Sequence, residues 1–147
     1  MDKWFAVIGT VVVGGLIALQ APINSMLGKT IGTFAAASVS FVIGTAVLVM
    51  ITVVAGGGFG DLGEARNLAW YYLLGGVLGA AYVTTVLVTV RTLGAGGVTA
   101  ATIAGQLTMS VIIDRVGALG LDERPLSVAR VVGIALLAAG TFLIVRE

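Results

Sequence analysis

GQLTMSVIIDRVG, residues 105–117, places an aspartate beside an arginine in an otherwise apolar part of the chain. The residues around it are mainly Val, Ala, Ile, Leu and Gly, and the apolar run extends from 98 to 121. About 20 such residues are enough for a helix to cross the hydrocarbon core of a bilayer. The stretch therefore predicts a membrane-spanning helix with Asp114 inside it.

The composition of the 147 residues also indicates a membrane protein. Hydrophobic residues make up 59% of the chain and charged residues 10%, against about 25% charged residues in a typical soluble domain. The net charge is +1 and the basic residues are scattered, so we expect no nucleic-acid partner. The absence of Cys and His removes disulfides, the usual zinc ligands and imidazole catalysis. We expect neither enzymatic activity nor a cofactor or metal.

Five apolar runs predict an all-α integral membrane protein with five transmembrane helices in one domain, residues 1–147. The connections between the runs are rich in Gly, Pro or charged residues, and the longest of them, 56–67, is too short for a domain. The first run is longer than the core of a signal peptide and no A-x-A site closes it, so we predict a retained helix. The five predicted helices are 4–27, 34–55, 68–90, 98–121 and 128–145.

The basic residues give these predicted helices little preference for one orientation. Five helices place the two termini on opposite sides, and the cytoplasmic side of a membrane protein carries more Lys and Arg. One side collects five basic residues and the other three: Lys3, Arg66, Arg115, Arg124 and Arg130 against Lys29, Arg91 and Arg146. We predict insertion in both orientations, with a single orientation as the alternative.

Polar side chains recur along one face of the fourth predicted helix. Thr102, Gln106, Ser110 and Asp114 are each four residues apart, which places them on one side of a helix. Lipid offers such side chains no partner, so the stripe is expected to face other helices or water. With the helix at 98–121, Asp114 would lie roughly 6–7 Å from the bilayer centre at 1.5 Å per residue.

Asp114 is the acid within this stripe, and intramembrane carboxylates are typical of transport and proton pathways. Hydrocarbon favours the neutral form of a carboxyl group, so we predict that Asp114 takes up and releases a proton. Arg115 follows it directly, points about 100° away on a helix and is not an obvious partner. The alternative is that an interhelical hydrogen bond holds Asp114, or that the helix ends earlier.

Two further polar groups lie in the first and third predicted helices. Gln20 and Asn24 flank Pro22, which removes a backbone hydrogen bond and kinks a helix. Broken helices line substrate sites in transporters, although the same pattern also fits the end of a helix. Tyr82 belongs to a weaker stripe whose alternative role is packing between helices. The predicted substrate-binding residues are Gln20, Asn24, Tyr82, Gln106, Ser110 and Asp114.

Two polar motifs and a C-terminal pattern carry a family resemblance. They are QAPINSMLGK at 20–29, GQLTMSVIIDRVGALGL at 105–121, and the spacing from Pro125 through Arg130 to Gly133. In these features the whole chain resembles the short five-helix, YdcZ-type family of the drug/metabolite transporter superfamily. Larger relatives in that superfamily contain ten helices as two inverted five-helix repeats. The resemblance implies a bacterial inner-membrane protein that pairs with an oppositely oriented copy or an inverted paralogue.

We therefore predict a small-molecule transporter, active as an antiparallel homodimer of ten helices in the lipid bilayer and proton-coupled through Asp114. Small multidrug exporters of similar size carry a glutamate in their first helix, whereas 4–27 contains no acid. The alternatives are a passive channel, which would use the same polar stripes, and an accessory or structural subunit, which would need none. The single acid favours a small cationic or polar substrate, whereas Arg115 would suit an anion.

Overall fold

The long helices of the chain are separated by short turns and 3-10 helices. The structure is a computed structural model that describes residues 3–146. Within that range the long helices are α1 (Lys3–Ile31), α2 (Thr33–Val54), α3 (Leu74–Val116) and α4 (Val128–Arg146). The 3-10 helices are Gly60–Asn67, Trp70–Leu73 and Ala118–Gly120. All four long helices have the length and apolar composition needed to cross a membrane, which confirms the all-α membrane class.

The third and fourth predicted helices form one element, α3, which is interrupted at a single residue. Gly94 has φ 67° and ψ 171°, a conformation essentially restricted to glycine. Together with Trp70–Leu73 the apolar stretch has 47 residues, roughly 70 Å at 1.5 Å per residue. The hydrocarbon core of a bilayer is only about 30 Å thick. The predicted break at 92–97 is therefore present, but as one non-helical glycine and not as a loop.

Two predicted boundaries in the first half of the chain are wrong. α1 continues to Ile31 instead of ending at 27, with Pro22 inside it. Proline removes one backbone hydrogen bond, but the apolar residues on both sides still favour a helix, the structure that satisfies the backbone in lipid. Helical structure after 68 begins with the 3-10 turn, and α geometry starts at Leu74. α2 and α4 lie within one residue of their predicted bounds.

The predicted end of the fourth helix at 121 is also wrong. α3 ends at Val116 because Gly117 adopts the left-handed conformation, with φ 63°, as glycine commonly does just after a helix. Taking 95–116 as the segment after the break, Asp114 lies roughly 13 Å from its midpoint at 1.5 Å per residue. The carboxylate is therefore in the last turn of the helix, much further from the midpoint than predicted.

The chain divides into two compact units, which we name by their position in the sequence. The middle unit is Leu19–Val88, and the terminal unit comprises the residues before and after it. In the middle unit, α1, α2 and the first part of α3 pack around a small apolar core with Leu27 and Tyr82 at its edge. The buried residues of this core are Ala36, Ala37, Val83 and Leu87.

In the terminal unit, the second part of α3 and α4 form an antiparallel hairpin. The pairs of residues in contact are Gly97 with Val145, Ala100 with Thr141, and Asp114 with Arg130. The residue numbers rise along α3 as they fall along α4, which is the antiparallel pattern. The Thr141 hydroxyl donates a hydrogen bond to the Ala100 carbonyl at 3.1 Å. The hairpin therefore brings the end of α3 beside the start of α4.

Candidate functional site

The connected end of this hairpin, beside the 117–127 turn, holds an ion pair between α3 and α4. Arg130 Nη1 lies 3.2 Å from Asp114 Oδ2, and the two side chains are 30% and 29% exposed. Within residues 3–146, this buried nitrogen makes no hydrogen bond that satisfies both distance and angle. The contact is thus a charge pair without an aligned hydrogen bond. Asp114 thus has an interhelical partner, held by charge and not by the hydrogen bond given as the alternative, and it lies near a helix end that comes earlier than predicted.

The backbone on both sides of this pair is held by capping hydrogen bonds. At the end of α3, the Arg124 N–H donates to the Asp114 carbonyl at 2.8 Å, satisfying one of the carbonyls that a helix end leaves free. At the start of α4, the Arg130 N–H donates to the Ser127 hydroxyl at 3.2 Å and the Ser127 carbonyl at 3.0 Å. Ser127 therefore acts as an N-cap. Both charged side chains project from fixed backbone positions.

Arg115 is directed to a different acid, as its position on the helix predicts. Its guanidinium donates to the carboxylate of Glu123, and both side chains are exposed. Exposed pairs of this kind contribute only about 0–1 kcal/mol to stability. The two residues line a shallow groove of about 410 Å³ together with Pro125 and Leu126. Arg115 is therefore not the counter-ion of Asp114.

The polar stripe of α3 lies on the continuous helical segment after Gly94 and is largely uncovered in the single chain. Gln106 and Ser110 are exposed, and Thr102 and Asp114 are half-buried. In the part of the chain that the structure describes, the Gln106 and Ser110 side chains make no hydrogen bond. Two polar groups on an apolar helix therefore lack a hydrogen-bond partner among residues 3–146.

The middle unit places its polar residues differently. Asn24 is buried, and its side-chain amide donates a hydrogen bond to the Ser40 hydroxyl at 3.1 Å, which joins α1 to α2. Tyr82 is half-buried against the apolar core, and Gln20 is exposed one turn before Asn24. No hydrogen bond or ion pair among the described residues joins these three predicted site residues into one cluster. Asn24 and Tyr82 pack helices together.

Within residues 3–146, no group of three or more acidic side chains is placed so that it could hold a metal ion. The only carboxylate of the apolar segments, Asp114, already lies beside a guanidinium.

The family of the chain follows from comparison with known proteins. A family model described as "Putative inner membrane exporter, YdcZ" matches residues 5–143. The chain belongs to the YdcZ family. The match confirms the resemblance carried by the polar motifs, and with the four long apolar helices it identifies a multi-pass inner-membrane transporter. Neither a curated protein nor a solved structure matches the chain.

Sequence reasoning missed two partners in this YdcZ-family chain, Ser40 and Arg130. In each pair, the two partners are the same number of residues away from the turn that joins their helices. Asn24 and Ser40 are each eight residues from Gly32, and Asp114 and Arg130 are each eight residues from Asp122. In an antiparallel helix pair, residues equidistant from the connection lie at similar heights. That symmetry, combined with complementary polarity, is the signal that could have found both partners.

Proposed function

We propose that the chain is a small-molecule transporter of the drug/metabolite transporter type, whose substrate path follows the polar face of α3. The observation that carries this proposal is the exposure of Gln106 and Ser110 on a helix long and apolar enough to span a membrane. Lipid cannot satisfy these groups, so they require water or a second protein surface. A path enclosed between two copies of the chain provides both.

The second copy is inverted relative to the first, and the two together contain ten spans. α3 supports five spans per chain, because it is about twice as long as one crossing and breaks at Gly94. The ten-helix relatives implied by the family resemblance are built from inverted five-helix halves. The small difference in basic residues between the two predicted sides agrees with insertion in both orientations. An inverted paralogue is the other partner that fits.

In this proposal Gln106, Ser110 and Asp114 line the path. Asp114 is the only acid within α1 to α4, which makes it the group available for coupling to protons or for binding a cation. The chain has no catalytic role in this account, and its partners are the substrate, the bilayer and the second copy. The membrane is the inner membrane of a bacterium.

Transport in proteoliposomes tests the role of Asp114. The reconstituted protein is offered a panel of small organic cations, anions and neutral metabolites, and a pH-sensitive dye inside the vesicles reports proton movement. Asp114→Asn should reduce substrate-driven proton flux by about a hundredfold, the usual effect of losing a positioned proton-transfer group. Asp122→Asn, in the connection between α3 and α4, is the matched control and should keep the flux.

Full proton-driven transport in Asp114→Asn would contradict this role. Substrate flux that rises with concentration without saturating would instead indicate a passive channel. Absence of flux for the whole panel, with the partner's activity unchanged by Gln106→Ala, would indicate an accessory subunit.

Cysteine labelling tests the inverted pairing. The chain contains no cysteine, so single cysteines can be placed at Gly63, where a side chain meets nothing within 4 Å, and after the C-terminus. Labelling from outside intact cells should modify about half of the molecules at each site if both orientations insert equally. Complete labelling at one site and none at the other would contradict an antiparallel homodimer.

A further inference from the structure

We infer that Arg130 is an internal cation occupying a cation-binding site at Asp114, and that a small organic cation binds this carboxylate by displacing it. The inference names the substrate class of the proposed transporter, and to that extent it rests on the proposed function. The binding step itself is a property of the α3–α4 hairpin.

At this end of the hairpin the backbone is fixed, whereas the ion pair between the Asp114 and Arg130 side chains can be broken. Capping hydrogen bonds fix the backbone at both residues: the Arg124 N–H donates to the Asp114 carbonyl, and the Arg130 N–H donates to Ser127. The two side chains are 29% and 30% exposed, so a ligand can reach the carboxylate without moving either helix. Displacement then requires rotation of the Arg130 side chain alone, and its long stem allows the charged end to move toward water or headgroups.

The Asp114–Arg130 contact is poorly aligned, so a free cation can make better hydrogen bonds to the carboxylate. An arginine that grips a carboxylate well does so with two parallel, aligned hydrogen bonds. Here Nη1 approaches a single oxygen at 3.2 Å and makes no aligned hydrogen bond among the described residues. A free cation is not restricted by a helix and can align its donors with both carboxylate oxygens.

The surroundings of Asp114 favour a cation over an anion. Between 114 and 130 the three arginines are balanced by three acids, so no basic excess exists to attract an anion. Arg115 is already held by Glu123. Ser110 and Gln106 lie one and two turns before Asp114 on the same face, and their side-chain oxygens can accept hydrogen bonds from further N–H groups. The guanidinium that now occupies the site indicates the ligand chemistry, a planar or compact cation with several N–H donors.

Equilibrium binding of methylguanidinium tests this inference without any transport. Calorimetric titration of the purified full chain in detergent compares the unaltered protein with Arg130→Gln. Removal of the competitor should strengthen binding about tenfold if Arg130 occupies the carboxylate in about nine molecules of ten. Arg130→Lys, which keeps the charge and is less disruptive to folding, should lie between the two.

Matched controls separate the site from general effects of charge. Arg115→Gln removes the neighbouring arginine and should bind methylguanidinium with the same affinity as the unaltered protein. Asp114→Asn combined with Arg130→Gln should abolish binding, and the neutral isostere N-methylurea should not bind any form.

Equal affinity in the unaltered protein, Arg130→Gln and Arg130→Lys would overturn the inference, as would binding that survives Asp114→Asn or no binding to any form. These results are separate from the fate of the proposed function. Competition for Asp114 without flux of any compound in the panel would refute the transporter proposal and keep the site. Transport of cations without this competition would support the transporter proposal and refute the inferred site.

Discussion

Asn24 in the middle unit and Gln106 in the terminal unit carry the same amide group in opposite environments. In the middle unit, Asn24 is 7% exposed and hydrogen-bonded to Ser40 within the same chain. In the terminal unit, Gln106 carries the same amide group but is exposed and has no side-chain partner within residues 3–146. The difference teaches that polarity in a membrane helix does not by itself identify a functional residue. A satisfied amide joins helices, whereas an unsatisfied one requires something outside the chain.

The energies of the two arrangements differ accordingly. Interhelical hydrogen bonds in membrane proteins contribute about 0.6 kcal/mol on average, so the Asn24–Ser40 contact is a modest contribution to stability. A charge introduced at that buried position would be much more costly, since the partner that the structure shows for Asn24 is the neutral hydroxyl of Ser40. A charge introduced into a water-filled path would cost little.

The largest expected effect is that of Asn24→Asp. The substitution changes a buried amide into a carboxyl group of the same shape, and we expect the free energy of unfolding to fall by about 2 kcal/mol, somewhat less than the cost of an aspartate at the centre of a membrane helix. Unfolding in detergent, followed by circular dichroism as denaturant is added, measures the change.

Gln106→Glu makes the same chemical change in the terminal unit and has the smallest expected effect. If the stripe faces water, stability should change by no more than about 0.5 kcal/mol, as for most surface substitutions. A loss as large as that of Asn24→Asp would place Gln106 in a buried environment and remove the distinction between the two units.

The apolar runs were sufficient to predict the membrane class and the approximate position of the helices. Their ends were harder to predict, because the local signals there have two meanings. Pro22 is compatible with a helix end or with a helix that continues, and the folded chain contains the helix that continues. The three glycines between 94 and 97 predicted a connection between two helices, yet only Gly94 leaves the helical conformation.

The candidate site was predicted in part for a similar reason. The spacing of Gln106, Ser110 and Asp114 is local, and a single helix is enough to place them on one face. The partners Ser40 and Arg130 are 16 residues away from Asn24 and Asp114 and depend on how two helices pair. Periodicity within one helix carries no information on that pairing. The buried state of Asn24 and the occupied state of Asp114 therefore became visible only in the folded chain.

The most direct test of the central claim is the reactivity of Ser110→Cys toward a charged thiol reagent in native membranes. Met109→Cys is the matched control, because it is the preceding residue, is also exposed in the single chain, and points about 100° away on the helix. These reagents attack the thiolate, which forms in water and not in lipid. If the polar face of α3 lines a water-filled path, Ser110→Cys should react about tenfold faster or more, in line with its greater thiolate fraction. Equal and slow reaction of the two cysteines would show that no path follows this face, and would contradict the account.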